Sequence, residues 1–323
     1  MTAIAPAGPT LTPIDLTKGN RSKGRVVRNK LATIGMVVAF LFALVPLGFV
    51  VVAVIAKGLS MISTSWFTEN IPDVASFALA DKADVFGISP SDAVAAVPVY
   101  GMQPAIVGTI LTTALAAFLA IPLGILGAIY LNEYGKQNRF ARTLRFFTDV
   151  MTGVPSVIMG IFIYTIWVVP RGVNGRAAVA GGLALACLML PIVVRSTEEM
   201  LKLVPNSLRE ASAALGTRTW KTTMGVTVPA ALGGIVSGCM LAVARAAGET
   251  APIILVVGST RFTNWSLSGV NTTLSAQIYA NATQPGGESL AWGAALTLIA
   301  IVLVMTVLAR VVASRYAIRG SGG

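Results

Sequence analysis

Arg245 and Glu249 stand four residues apart in an otherwise apolar stretch, Ala244-Arg245-Ala246-Ala247-Gly248-Glu249-Thr250. That spacing places both side chains on one face of a helix, where they can pair. In a membrane each buried charge costs roughly 2.5–3.5 kcal/mol on insertion scales, and such residues face a bundle interior or a water-filled cavity. By default they mark a transport path; the plainer alternative is a structural pair that packs its span. Arg195 closes another apolar run, in Arg195-Ser196-Thr197-Glu198-Glu199. Snorkelling to the interface explains it locally. If its span packs beside Arg245, the two guanidinium forks suit a tetrahedral oxyanion, because Arg is always charged and offers planar bidentate donors. Glu249 would then balance charge when the path is empty.

A second constellation is polar. Ser207-Leu208-Arg209-Glu210 has the spacing of a capping box at a helix start. The Ala-rich residues to Leu215 would continue that helix, and Gly216 can take the left-handed conformation that ends it. Pro229 fits the first turn of the next helix, where its missing N–H costs little. The stretch reads as helix, sharp turn, second short element and membrane span. A plain amphipathic connector capped by Glu210 has the same local signals.

Much other chemistry is excluded. The chain has no His, which removes His-based triads, His metal sites and His proton relays. Cys187 and Cys239 lie in apolar runs and read as packing residues. No G-x4-G-K-[ST] occurs, so any ATP that drives this chain binds another polypeptide. No cofactor or metal site is expected on the chain itself.

These groups need elements to hold them, and composition places those elements in a membrane. Of 323 residues, 55% are hydrophobic and 11% charged, well below the charge content of soluble domains. A bilayer core takes about 20 apolar residues per helix. Uncharged runs of that order occupy 31–56, 105–131, 150–170, 177–194 and 289–309, and a further run, 222–244, continues through Arg245 and Glu249 towards Val257. The expectation is an all-α membrane protein of six spans, with Pro46, Pro122, Pro155, Pro191 and Pro252 tolerated inside them. A basic tail (1–30) precedes the first span (31–56). An extracytoplasmic segment (57–104), holding a short surface helix or hairpin, leads to a five-span core (105–312) with a cytoplasmic loop at 196–228, then a cytoplasmic tail (313–323).

Eighteen of the 24 Lys and Arg residues flank one set of loops: before the first span, between the second and third, after the fourth and after the sixth. The positive-inside rule makes that side, and both termini, cytoplasmic. The formal charge of +11 is spread over juxtamembrane loops and not gathered on one face, which favours anionic lipid over nucleic acid as its partner.

The string Glu210-Ala211-Ser212-x3-Gly216-x9-Val226-x-Val228-Pro229 resembles the EAA-x3-G-x9-I-x-L-P motif of ABC importer permeases. The string Arg245-Ala-Ala-Gly-Glu249-Thr-Ala-Pro is similar to the R-A-x-G-E-T-A-P segment of phosphate-importer permeases. So are Leu190-Pro-Ile-Val-Val-Arg195-Ser-Thr-Glu-Glu, Gly153-Val-Pro-Ser-Val-Ile-Met-Gly-Ile-Phe-Ile-Tyr and Ile129-Tyr-Leu-Asn-Glu-Tyr134. The resemblance covers about 105–309. It implies a type I ABC importer permease of the MetI-like fold in a bacterial inner membrane, moving inorganic phosphate, with molybdate or sulfate as rival oxyanions. A secondary anion transporter would share the spans and the Arg/Glu pair without the EAA loop. The resemblance also implies a non-catalytic subunit that pairs with a second, homologous permease and receives substrate from an extracytoplasmic phosphate-binding protein. Two ATPase subunits holding ATP and Mg2+ would dock at Glu210, Ala211, Ser212, Gly216 and Pro229. Arg245, Glu249 and Arg195 would line the substrate path.

Overall fold

Apolar runs of this length can satisfy their backbone in lipid only as helices, and the computed structural model is helical accordingly. It describes residues 23–72, 101–135 and 138–316. The tail before Lys23, most of 57–104 and the last residues of the chain lie outside them. The chain divides into two units, Met1–Ala53 and Val54–Gly323. The described part of the first is the body of one helix, α1 (Lys23–Gly58), which carries Pro46 within it.

The second unit holds the remaining elements. They include α2 (Thr64–Thr68), α3 (Gln103–Ile129) extended by a π turn (Tyr130–Tyr134), α4 (Arg139–Gly153) and α5 (Ser156–Ile163), itself extended by a π turn (Tyr164–Val168) and a 3-10 turn (Val169–Gly175). There follow α6 (Ala178–Lys202), α7 (Asn206–Ala214), α8 (Thr219–Ala247), α9 (Ala251–Val256), α10 (Leu274–Ala282) and α11 (Glu288–Tyr316). Five helices among the described residues are long and apolar enough to cross a bilayer, and the bent pair α4–α5 makes a sixth if counted as one span. No β-strand occurs among the described residues.

Two expected spans are broken. The run 150–170 is not one helix, because the chain turns by 106° between α4 and α5. Val154 precedes a proline and is driven into extended backbone (φ −74°, ψ 129°), so Pro155 starts α5 where an uninterrupted span was expected. The run from 222 towards Val257 ends as a long helix at Ala247, and Pro252 sits in the first turn of the separate α9. Pro122 and Pro191 do lie within helices α3 and α6.

The main core gathers α3, α5, α6, α8 and α9 around Leu185, Met189, Val193, Ile235 and Ile253. Small residues let these helices approach closely, as is common between membrane helices. A Cβ on Gly124 of α3 would come within 2.7 Å of Val193, and one on Gly182 of α6 within 2.7 Å of Leu115. The first N–H groups of α6 have no helical partner, and the 258–273 loop satisfies them: Ala178 donates to Gly269 O and Val179 to Leu267 O. A second cluster packs Trp66 and Met102 against Leu274 and Leu290, with Trp66 Nε1 donating to Thr297 Oγ1 at 2.8 Å.

Candidate functional site

Arg245 occupies the last turn of α8, where a cation meets the negative end of the helix dipole. The helix stops two residues later, and Glu249 stands in the gap before α9 starts at Ala251. Glu249 is held there by its backbone, whose N–H donates to Ala246 O and whose carbonyl accepts from Ser275 Oγ at 2.9 Å. Arg245 Nε lies 3.8 Å from Glu249 Oε1, an ion pair too long to be a hydrogen bond. The Arg245 side chain is 66% exposed and that of Glu249 18%. Among the described residues the guanidinium makes no hydrogen bond, so its fork is free for an anion.

Arg195 is placed differently. Its Nη1 donates to Asp149 Oδ1 at 3.1 Å and its Nε to Glu199 Oε1 at 2.9 Å. Gly234 and Gly238 of α8 abut Met200 and Ser196 of α6, which fixes an antiparallel register between the two helices. In that register Arg245 lies roughly six residues, or about 9 Å, further along the axis than Arg195. The structure joins Arg245 to Glu249 and joins Arg195 to a separate pair of carboxylates.

The polar loop is α7 and the turn after it. The expected capping box is not formed: Pro205 takes the N-cap, with no side-chain cap bond, and Ser207 lies inside the helix. Proline fixes φ and lets the helix begin one residue before the serine could cap it. Glu210 and Ala211 face outward, and Glu210 has no side-chain partner among the described residues. Gly216 closes the turn at φ +76°, in the left-handed region that favours glycine. Ser212 faces inward instead. Its hydroxyl meets Thr217 Oγ1 at 2.7 Å and Thr222 Oγ1 at 2.9 Å, and those two meet each other at 2.9 Å. Pro229 sits, as expected, in the first turn of the regular α-helical stretch Val228–Ala247. It follows a π turn (Thr223–Thr227), whose wider winding accommodates the carbonyl that a proline cannot bond.

The family described as "Binding-protein-dependent transport system inner membrane component" matches residues 120–318. The chain belongs to this family. It is therefore a membrane permease component, not an enzyme. The permease is 39% identical over 292 residues to "Phosphate transport system permease protein PstA 1" of Mycobacterium tuberculosis (strain CDC 1551 / Oshkosh), covering 89% of each chain. It is 36% identical over 287 residues to "Phosphate transport system permease protein PstA" of Yersinia pestis, covering 88% of this chain and 90% of that one. Two solved structures share the fold of the permease. One is an inward-facing MetNI methionine ABC transporter (TM-score 0.51, 19% identity, 65% of this chain and 91% of that one). The other is a bacterial ABC transporter involved in the import of the acidic polysaccharide alginate (TM-score 0.54, 12% identity, 90% and 97%).

Several charged residues of the permease went unremarked in the sequence. Glu198 is buried in α6 and pairs with Arg145 Nε at 3.0 Å and Lys202 Nζ at 2.8 Å. Its spacing to Lys202 was a usable signal. Nothing local marks Asp149 or Glu133 as partners of Arg195 and Arg209, which lie far along the chain. Arg171 stacks on Trp167 with its guanidinium 3.8 Å from the ring centre and donates to Trp167 O.

Proposed function

We propose that this permease, with a second homologous permease, forms the path of an ATP-driven importer that moves inorganic phosphate into the cell. One observation carries the reading. Arg245 stands at the end of a spanning helix with an unspent guanidinium fork and one loosely held carboxylate beside it. A tetrahedral oxyanion can take both prongs of such a fork, and the carboxylate 3.8 Å away prevents the complex from becoming a trap. The printed names of the PstA relatives favour phosphate among the oxyanions.

In this reading α7 is the coupling helix. Two ATPase subunits, which bind ATP and Mg2+, dock on the outward-facing Glu210 and Ala211, and the turn at Gly216 presents them. Ser212 and Pro229 set the shape of the loop. An extracytoplasmic binding protein delivers phosphate at the opposite face. ATP binding moves the coupling helices and rocks the two bundles between inward-open and outward-open forms, which is alternating access by rigid-body motion. Both termini and the α7 loop are cytoplasmic. Arg195 forms the inner end of the path, where Asp149 and Glu199 compete with the anion for its donors.

The test is uptake of radiolabelled phosphate in cells lacking other phosphate importers, with sulfate or molybdate added in excess. Uptake should need ATP and resist both competitors. Uptake that follows an ion gradient without ATP, or that either competitor abolishes, would overturn the proposal.

A further inference from the structure

Arg209 directly precedes the outward-facing Glu210 on α7 and points the other way. Its side chain is only 18% exposed, and its two terminal nitrogens make four hydrogen bonds. Nη1 donates to Val204 O at 2.9 Å and Asn206 Oδ1 at 3.1 Å; Nη2 donates to Leu201 O at 2.8 Å and Glu133 Oε1 at 3.2 Å. Leu201 lies in the last turn of α6 and Val204 two residues past its end, where carbonyls run out of helical partners. Glu133 lies in the π turn that ends α3, 8% exposed, and also accepts from Asn132 Nδ2 at 2.8 Å. One guanidinium thus ties the ends of two spanning helices to α7.

The neighbouring ion pairs strengthen the same end of the bundle. Glu198 of α6, 3% exposed, takes Arg145 of α4 and Lys202 of α6, and Arg145 also donates to Leu131 O in the π turn that extends α3. Asn132, Glu133, Lys202, Asn206 and Arg209 surround a small polar cavity of about 130 Å³. Breaking a buried pair leaves an uncompensated charge, so such ties hold their elements together far better than surface pairs do. Among the described residues, the forward passage from α7 into the first turns of α8 has no such tie. It consists of the turn at Gly216, the neutral hydroxyls of Ser212, Thr217 and Thr222, and a π turn. The loop is clamped backwards by charge and joined forwards by neutral contacts.

We infer that the Arg209–Glu133 pair is the strut that carries movement of the coupling helix into the second span, α3. The inference rests on the reading of α7 as the ATPase docking helix. Both are positioning residues: neither touches the anion path at Arg245. With the Glu133 charge removed, Arg209 still caps α6 through Leu201 and Val204, but α3 no longer follows α7. ATP is then hydrolysed without a full switch of the bundle.

The experiment measures phosphate transported per ATP hydrolysed by the whole complex in proteoliposomes, with its binding protein and ATPase subunits. Glu133→Gln and Arg209→Gln should each lower that ratio about tenfold while ATPase subunits stay bound, and the double variant should do no worse than the weaker single, as one shared contact requires. Should the Gln variants fail to assemble, Arg209→Lys replaces them, because one ammonium keeps the charge but lacks the two-nitrogen fork that reaches four acceptors; its ratio should fall about threefold. An unchanged ratio, additive losses in the double variant, or transport and ATPase activity falling in step would overturn the strut. Glu210→Lys separates this from the docking reading. Normal coupling in Glu210→Lys means that α7 is not the dock, whereas uncoupling there with a normal ratio in Glu133→Gln means that the dock is right and the strut wrong.

Discussion

Glu249 lies 3.8 Å from Arg245, and the helix that carries Arg245 ends between them. The carboxylate is therefore positioned by a break in the backbone, with Ser275 holding its carbonyl, and not by a continuous helical turn. A pair so arranged can open without unwinding a span. Glu249→Gln keeps the shape and removes the charge proposed to limit anion residence. The uptake rate per complex should fall about tenfold, or about 1.4 kcal/mol in barrier, with complex abundance in membranes little changed. Uptake at the wild-type rate, or loss of the complex, would show the carboxylate to be structural.

The coupling role proposed for α7 rests on an exposed carboxylate and a turn that requires glycine. Gly216 has φ +76°, which a side chain opposes by roughly 1–2 kcal/mol. Glu210→Lys reverses a charge that has no partner within the described chain. Both Glu210→Lys and Gly216→Val should insert normally yet lose ATP-dependent uptake, read on purified complex alongside retention of the ATPase subunits. Normal uptake by both variants would refute the role.

The turn itself is held by hydroxyls. Ser212 Oγ lies within 2.9 Å of both Thr217 and Thr222, so Ser212→Ala removes two of the three contacts in the cluster. The loss should be about 1 kcal/mol, confined to the loop, because the two threonines keep each other. Amide hydrogen exchange across 212–222 should quicken several-fold, on the order that 1 kcal/mol gives; unchanged exchange would contradict the cluster's role.

Spans were legible wherever nothing interrupts the backbone. The uncharged run 105–131 and the helix Gln103–Ile129 nearly coincide, since in lipid an apolar run has no other way to satisfy its N–H and C=O groups. Pro155 and Gly248–Thr250 defeated the same reasoning, because apolarity reports burial in lipid and not helix continuity. A rule about the residue before proline would have caught the first break. Gly216 was legible as a left-handed turn, but the capping box was not real, as Pro205 started the helix first. The Arg245–Glu249 pair was readable because it is local. Asp149 against Arg195, and Glu133 against Arg209, join residues far apart in sequence, and periodicity says nothing of such partners.

Orientation is testable through single cysteines. Cys239 is buried and Cys187 half-buried, so the native thiols give little background. With a membrane-impermeant thiol reagent on whole cells, a cysteine at the exposed Ser266 should label and one at the exposed Ser207 should not. Labelling at 207 without labelling at 266 would reverse the topology.

The most direct test is uptake of radiolabelled phosphate by Arg245→Gln, normalised to complex abundance in membranes. The account predicts that the complex assembles and that uptake is abolished, with Arg245→Lys rescuing only partly because it keeps the charge and loses the fork. Wild-type uptake by Arg245→Gln, or disappearance of the complex, would make the Arg245–Glu249 pair a packing device and put the anion path elsewhere.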